Sequence, residues 1–141
     1  MSKFQPKPGQ IDYTEARWAP VINCVVKHDG KYLLVKRSEE NEHYPGFWNG
    51  ISGFLDDDKS LEEKVREELL EETGIKEKDI ISIELGIIFD QNDEEHKKTW
   101  VVHPVLVEIR TDKIEIDWEA SEYKWVELDD IENYDLMPGF D

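Results

Sequence analysis

The hydrophobic positions change their period along the chain, and each change predicts an element. Two β-rich runs, Ala19–His28 and Lys31–Lys36, flank Asp29-Gly30. Asp-Gly between such runs predicts a hairpin closed by a tight primed turn. Arg37 ends its second strand. After a polar loop over 38–45, Phe47, Trp48, Ile51 and Phe54 bracket a short strand. Leu61, Val65 and Leu69 then recur every fourth residue, the spacing of one helix face. Ser60 with Glu63 forms a capping box, and Gly74 supplies a left-handed stop, so a helix is predicted from about Leu61 to Glu72. Ile80–Phe89 reads as one aliphatic strand, 90–98 as a charged loop and Thr99–Ile109 as another strand. Pro104 inside that last run predicts an edge position or a bulge. Lys113–Asp117 and Tyr123–Glu127 read as shorter strands, and Asp129–Tyr134 as a short capped helix. Strands, one helix, strands again and a short helix make a mixed sheet with helices on its faces. Residues 1–17 are polar, with Pro6 and Pro8, and read as a flexible arm or an edge strand near Tyr13. That leaves 18–141 as a single domain, with no repeat and no low-complexity segment.

Composition narrows the partners. The 141 residues carry 34 acids and a net charge of −17. A surface that acidic repels nucleic acid and anionic membranes. It repels a nucleotide too, unless bound cations offset the field locally. Cys24 is the single cysteine, so no internal disulfide forms. It sits among Val and Ile as a small core residue. No apolar run approaches the ~20 residues of a membrane span, and no signal peptide is visible, so the expected location is the cytoplasm.

Charge becomes chemistry on the helix at Leu61. With about 100° per residue and Leu61 at zero, Glu68 falls near −20°, Glu72 near +20° and Glu71 near −80°. Three acids thus line the edge of the face to be buried. Either the helix is a solvated acidic one, or a cation sits among them, because like charges this close repel and burial makes the repulsion worse. A hard divalent ion such as Mg²⁺ or Mn²⁺ takes oxygen ligands of this kind and keeps open positions for phosphate. Lys64 projects between Glu68 and Glu71 on the same wheel. It is either a helix-surface partner of Glu68 or an ammonium crowding the metal. His96 and His103 have no ligand-like spacing and are read as non-ligands.

The segment GFLDDDKSLEEKVREELLEETGI, Gly53–Ile75, resembles the Nudix box, G-x5-E-x7-R-E-U-x-E-E-x-G-U with U aliphatic. Gly53, Glu68, Leu69, Glu71, Glu72, Gly74 and Ile75 match in register. Lys59 and Glu67 stand where the pattern has Glu and Arg, and Arg66 comes one residue early. The resemblance implies a Nudix-type α/β/α sandwich around a mixed sheet. It implies metal-dependent hydrolysis of a nucleoside diphosphate-linked small molecule, with Mg²⁺ or Mn²⁺ held by Glu68 and Glu72. Glu71 is then a third ligand or a base, and Gly53 marks the loop that turns towards the metal. Arg37 either faces the substrate phosphates or is a solvated strand end. A late-loop acid is also implied, with Glu119 the candidate and Glu122 the runner-up. The inverted pair Lys59 and Glu67 either still pairs with polarity exchanged or weakens the orientation of Glu68. The alternative is a weakly active or non-catalytic Nudix domain that binds a nucleotide or a protein. A Nudix-fold isomerase would need a paired Cys and Glu, for which Cys24 has the wrong surroundings. Around Asp90 there is neither the Pro nor the Tyr that would mark a substrate subgroup. Met137 and Phe140 near the end make a homodimer one option.

Overall fold

The structure, a computed structural model, describes residues 17–40, 45–94 and 97–136. The arm over 1–16, His96 and the tail residues Met137 and Phe140 lie outside them. The strands are β1 (Trp18–His28), β2 (Lys31–Arg37), β3 (Trp48–Asn49), β4 (Ile51–Phe54), β5 (Ile80–Leu85), β6 (Phe89–Asp93), β7 (Lys98–Ile109) and β8 (Ala120–Val126), and the helix α1 spans Leu61–Thr73.

The sheet is mixed because β1 and β7 run parallel, in register from Trp18↔Thr99 to Lys27↔Glu108. Its other ladders among the described residues are antiparallel: β4 on β1, β5 and β6 on β7, and β3 and β8 on β2. β2 meets β1 only at the hairpin end, through Lys27↔Tyr32 and His28↔Lys31. There Asp29 (φ 50°) and Gly30 (φ 78°) are both left-handed, as a primed turn demands. Beyond the turn the two strands diverge, and the core fills the space between them. Ile22, Cys24 and Val26 of β1 pack with Leu33 and Val35 of β2, Val65 and Leu69 of α1, and Val105, Val107 and Ile109 of β7. A second cluster, Leu34, Trp48 and Val126, is covered by Ile131, Tyr134 and Leu136. Helical segments on both faces make this the α/β/α sandwich expected.

Several local expectations are corrected. The aliphatic run Ile80–Phe89 is two strands, β5 and β6, broken at 86–88 opposite Pro104. Gly86 N–H donates to Pro104 O at 2.8 Å, but Pro104 has no N–H to return the bond, so the ladder stops there. Pro104 therefore sits in a strand paired on both sides, and its partner strand takes the break. Most of the predicted charged loop 90–98 belongs to β6 and the start of β7. Lys113–Asp117 forms no strand. It runs as a single segment, with Ile114 in the core and Glu115 N–H donating to Thr73 O at the end of α1. The last helical segment is a 3-10 turn over Leu128–Asn133 whose cap, Glu127, makes no side-chain bond.

Candidate active site

α1 starts and stops where its caps dictate. Ser60 accepts from Glu63 N–H, the Glu63 side chain accepts from Ser60 N–H, and Gly74 (φ 73°) donates to Leu70 O. With both ends fixed, the rotation that buries Val65 and Leu69 also carries Glu72 inward, to 8% exposure. Glu68 is half-buried and Glu71 exposed. Gly53 is required by Glu68: a Cβ there would lie 2.5 Å from the Glu68 carboxyl carbon.

Two other segments meet α1 from the far side. A register shift between Lys36 and Arg37, with Lys36 opposite Glu122 and Arg37 opposite Ala120, leaves Ser121 as an extra residue in β8 and bends that strand where it passes Arg37. Just before β8, Glu119 N–H donates to Asp117 Oδ1 at 3.1 Å, and Ser38 N–H donates to Glu119 O at 2.9 Å. Arg37, Ser52, Glu72, Asp117 and Glu119 thereby line one small pocket. Glu122 is exposed and outside that lining. Asp117 carries a signal that sequence reasoning passed over, an acid two residues before Glu119.

The pocket is electrostatically unsettled. Burial pushes the Glu72 carboxyl well above the usual range, and the negative charges of Glu119 and Glu68 push the same way. Burial raises Glu68 to about 7, opposed by a hydrogen bond with Glu72 and assisted by Glu119 and Glu71. Two carboxyl groups can share a hydrogen bond only if one holds a proton. Glu119 and Asp117 are also shifted up, chiefly by burial. Burial lowers the pKa of Arg37, and Glu119 and Glu72 pull it back up. Glu72 Oε2 is buried with no hydrogen-bond partner among the described residues. On the other flank of Glu68, Glu67, Glu68 and Glu71 each bring a carboxylate oxygen within 4.8 Å of the others. Glu68 is therefore the hub of the acidic residues.

A second ionic cluster lies beside the first. Lys64 is neither a surface partner of Glu68 nor an open ammonium. It is 2% exposed, and its Nζ donates to Asp56 Oδ1 and Asp57 Oδ2 at 3.0 Å each, with Glu67 Oε1 at 3.6 Å. The helical wheel placed it correctly in angle but could not show the Asp56-Asp57 loop folding over it. Burial works to lower the Lys64 pKa, and the bonds to Asp56 and Asp57 more than reverse that. Lys59 Nζ pairs with Glu67 and with Asp57, so the inverted positions do meet with their polarity exchanged. Arg66 faces outward to Glu62 and Glu77 and takes no part. Cys24 is fully buried, and burial first and Glu68 second drive its thiol pKa upward, so the group stays protonated and inert. His103 is half-buried with Nδ1 3.2 Å from the Val21 and Val101 carbonyls, inside the sheet.

The NUDIX domain pattern matches residues 17–140. The chain belongs to the Nudix family. It is 27% identical over 129 residues to the nucleoside triphosphatase NudI of Klebsiella pneumoniae, covering 85% of this chain and 89% of that one. It is 28% identical to the Nudix hydrolase YvcI of Bacillus subtilis, covering 84% and 72%. Among solved structures it resembles the MutT protein of Methanosarcina mazei Go1, with TM-score 0.69, 25% identity and 89% and 88% of the two chains covered. It also resembles the NUDIX domain of Shewanella oneidensis NrtR, crystallised with ADP ribose, with TM-score 0.73, 25% identity and 87% and 81% covered. The protein is thus a Nudix hydrolase acting on phosphoric anhydride bonds, and nucleoside diphosphate derivatives are its general substrate class. No helix among the described residues is long and apolar enough to cross a membrane.

Proposed function

We propose that the protein is a Mg²⁺- or Mn²⁺-dependent pyrophosphohydrolase of small nucleotides or their conjugates, working in the cytoplasm. The observation that carries this reading is the orphaned Glu72 Oε2, buried beside a Glu68 that must share a proton to tolerate it. Such a cluster fits a hard divalent cation and little else, since no described cation other than Arg37 lines the pocket. Glu68 and Glu72 are the proposed ligands, with Glu71 a third ligand or a base on the exposed flank. A bound divalent ion would neutralise phosphate charge and acidify the attacking water.

The remaining work falls to the chain itself. Glu119 lines the same pocket as Glu72 and shares a side-chain hydrogen bond with it, and its raised pKa suits a carboxylate that takes a proton from water at its Oε atoms. Arg37, opposite the bulge and lining the same pocket, offers a planar fork of donors to phosphate oxygens. Gly53 keeps the β4 backbone close to Glu68 and so fixes where that carboxylate points. A phosphate-release screen over nucleoside triphosphates and nucleotide sugars, with Mg²⁺ or Mn²⁺, tests the reading. Turnover that needs the metal and disappears in Glu72→Gln is expected. Turnover unchanged by chelator, or by that substitution, contradicts it.

A further inference from the structure

Ile80–Phe89 has the composition of a central strand in the position of an edge strand. The run IISIELGIIF holds a single charge, Glu84, in a chain that is 36% charged. The run Trp18–Val26 of β1 is as free of charge, but β1 is paired with β7 on one side and with β4 on the other. β5 stands last in the strand order, and among the described residues β5 and β6 pair with β7 alone. Along this edge Ile81, Leu85, Ile87 and Ile88 are 49, 55, 88 and 55% exposed. Single exposed aliphatics are ordinary, but four within eight residues on one free edge form a patch.

The backbone of the edge is open as well. Gly86 N–H donates to Pro104 O, so the main chain at 86 points its polar groups at β7. Antiparallel ladders alternate, so Glu84 and Ser82 also point theirs at β7. Ile83 and Leu85 therefore turn their N–H and C=O groups outward. Native edges are blunted by lysine, by proline or by a covering segment. β5 contains neither lysine nor proline. The contrast is β8, which among the described residues pairs with β2 alone and carries exposed Glu122 and Lys124.

We infer that this edge pairs with the same edge of a second copy of the chain, two antiparallel β5 strands joining two sheets about a two-fold axis. Charge selects the occupant. At −17 each, two copies repel one another, and the strip at Ile80–Phe89 lets them meet without setting carboxylate against carboxylate. Pairing centred on Ile83 sets Glu84 opposite Ser82 and Ile81 opposite Leu85. Pairing centred on Leu85 sets Glu84 opposite Gly86 and Ile83 opposite Ile87. Only a centre on Glu84 itself would oppose two acids, which destabilises a ladder. Ile83 and Leu85 are also the residues whose backbone groups face outward, so both favourable centres form hydrogen-bonded pairs. A strongly charged partner finds no counter-charge on this strip. The contact is self-complementary and uses the same edge in both copies, while the charged edge at β8 does not extend it, so assembly closes at the dimer.

The test is sedimentation equilibrium of the full chain in chelator, over a wide range of concentration and of sodium chloride. The expected result is a species of twice the 16.6 kDa chain mass that dissociates on dilution and tightens as salt screens the like charges. Leu85→Glu with Ile87→Glu should weaken the dimer by about tenfold or more. Leu70→Glu with Leu128→Glu adds the same charge at exposed positions away from the edge and should weaken it far less. Amide exchange gives a reading that needs no variant: the Ile83 and Leu85 N–H groups should be protected at dimer concentrations and exchange freely on dilution. A monomer at every concentration and salt overturns the proposal. So does a dimer that both double variants weaken alike. Protection of those two amides in a monomer would assign the edge to another part of the same chain, and that result overturns it too.

Discussion

Two acidic clusters flank the start and the inner face of α1, and they meet the same physical problem in opposite ways. In the first, Asp56, Asp57 and Glu67 surround Lys64 and Lys59, so three buried or half-buried acids have two internal cations. In the second, Glu72, Glu119 and Asp117 share a pocket with one arginine, Glu68 bonds to Glu72, and all four pKa values are raised. Asp57 in the first cluster goes the other way: burial works to raise it, but bonds to Lys64 and Lys59 bring it below its usual value. The first cluster is closed by the chain's own charges. The second is left open for charge brought from outside.

The sharpest way to break this contrast is to remove the internal cation. Lys64→Met leaves Asp56 buried without its partner, and should destabilise the protein by ~3–5 kcal/mol, the usual result of halving a buried ion pair. Chemical denaturation measures it. A loss below about 1 kcal/mol, the worth of a surface pair, would show that Lys64 is not the closure it looks like.

Removing a charge from the open cluster should do the reverse. Glu72→Gln should raise the melting temperature of the metal-free protein, because it deletes a desolvated carboxylate, while turnover falls on the order of 10²-fold or more. Steady-state kinetics beside thermal melts in chelator will show whether stability and activity move in opposite directions.

The clusters should also titrate with opposite slopes. Glu68 has its folded pKa raised from 4.5 to about 7, so the folded state holds a proton that the unfolded chain releases. Metal-free stability should therefore fall as pH rises between those values, with Glu72 adding in the same direction. Asp57, lowered from 3.8, contributes stability above its unfolded value that is lost as pH falls through its folded one. Melts in chelator from below pH 3.8 up to about 7 test both limbs. A divalent ion should flatten the upper limb and leave the lower one alone.

The smallest effect is expected at the pair Lys59 and Glu67. Lys59 is substantially exposed, so water and salt screen an ion pair there and leave it little weight. The double change Lys59→Glu with Glu67→Arg keeps a pair and adds the planar fork of arginine. It should lower stability slightly, because the new acid at 59 meets Asp57 and the new cation at 67 meets Lys64, and raise kcat a few-fold through better orientation of Glu68. No gain in rate would remove that idea.

What could be read from the sequence follows the range of the forces involved. The hairpin at Asp29-Gly30 and the capped helix are set by neighbours in the chain, and both are found where the local signals place them. Glu72 could be put on the buried face because helical geometry is itself local. Lys64 could not be assigned, since its partners come from a loop whose path depends on packing. The break at Gly86 was hidden for the same kind of reason: Pro104 marked a ladder fault, and only the pairing of β7 with two strands shows which side absorbs it. Asp117 had a local signal, two residues before Glu119, but its place in the pocket wall beside Glu72 and Arg37 is set by packing and not by spacing along the chain. Ile114 shows the limit of period alone, for a buried residue in a short alternating run need not belong to a strand.

Calorimetric titration of Mn²⁺ and Mg²⁺ into the wild type, Glu72→Gln and Asp56→Asn separates the two clusters most directly. The account predicts binding to the wild type that Asp56→Asn retains and Glu72→Gln weakens by about tenfold or more. Equal binding by the wild type and Glu72→Gln, or none by the wild type, would contradict it.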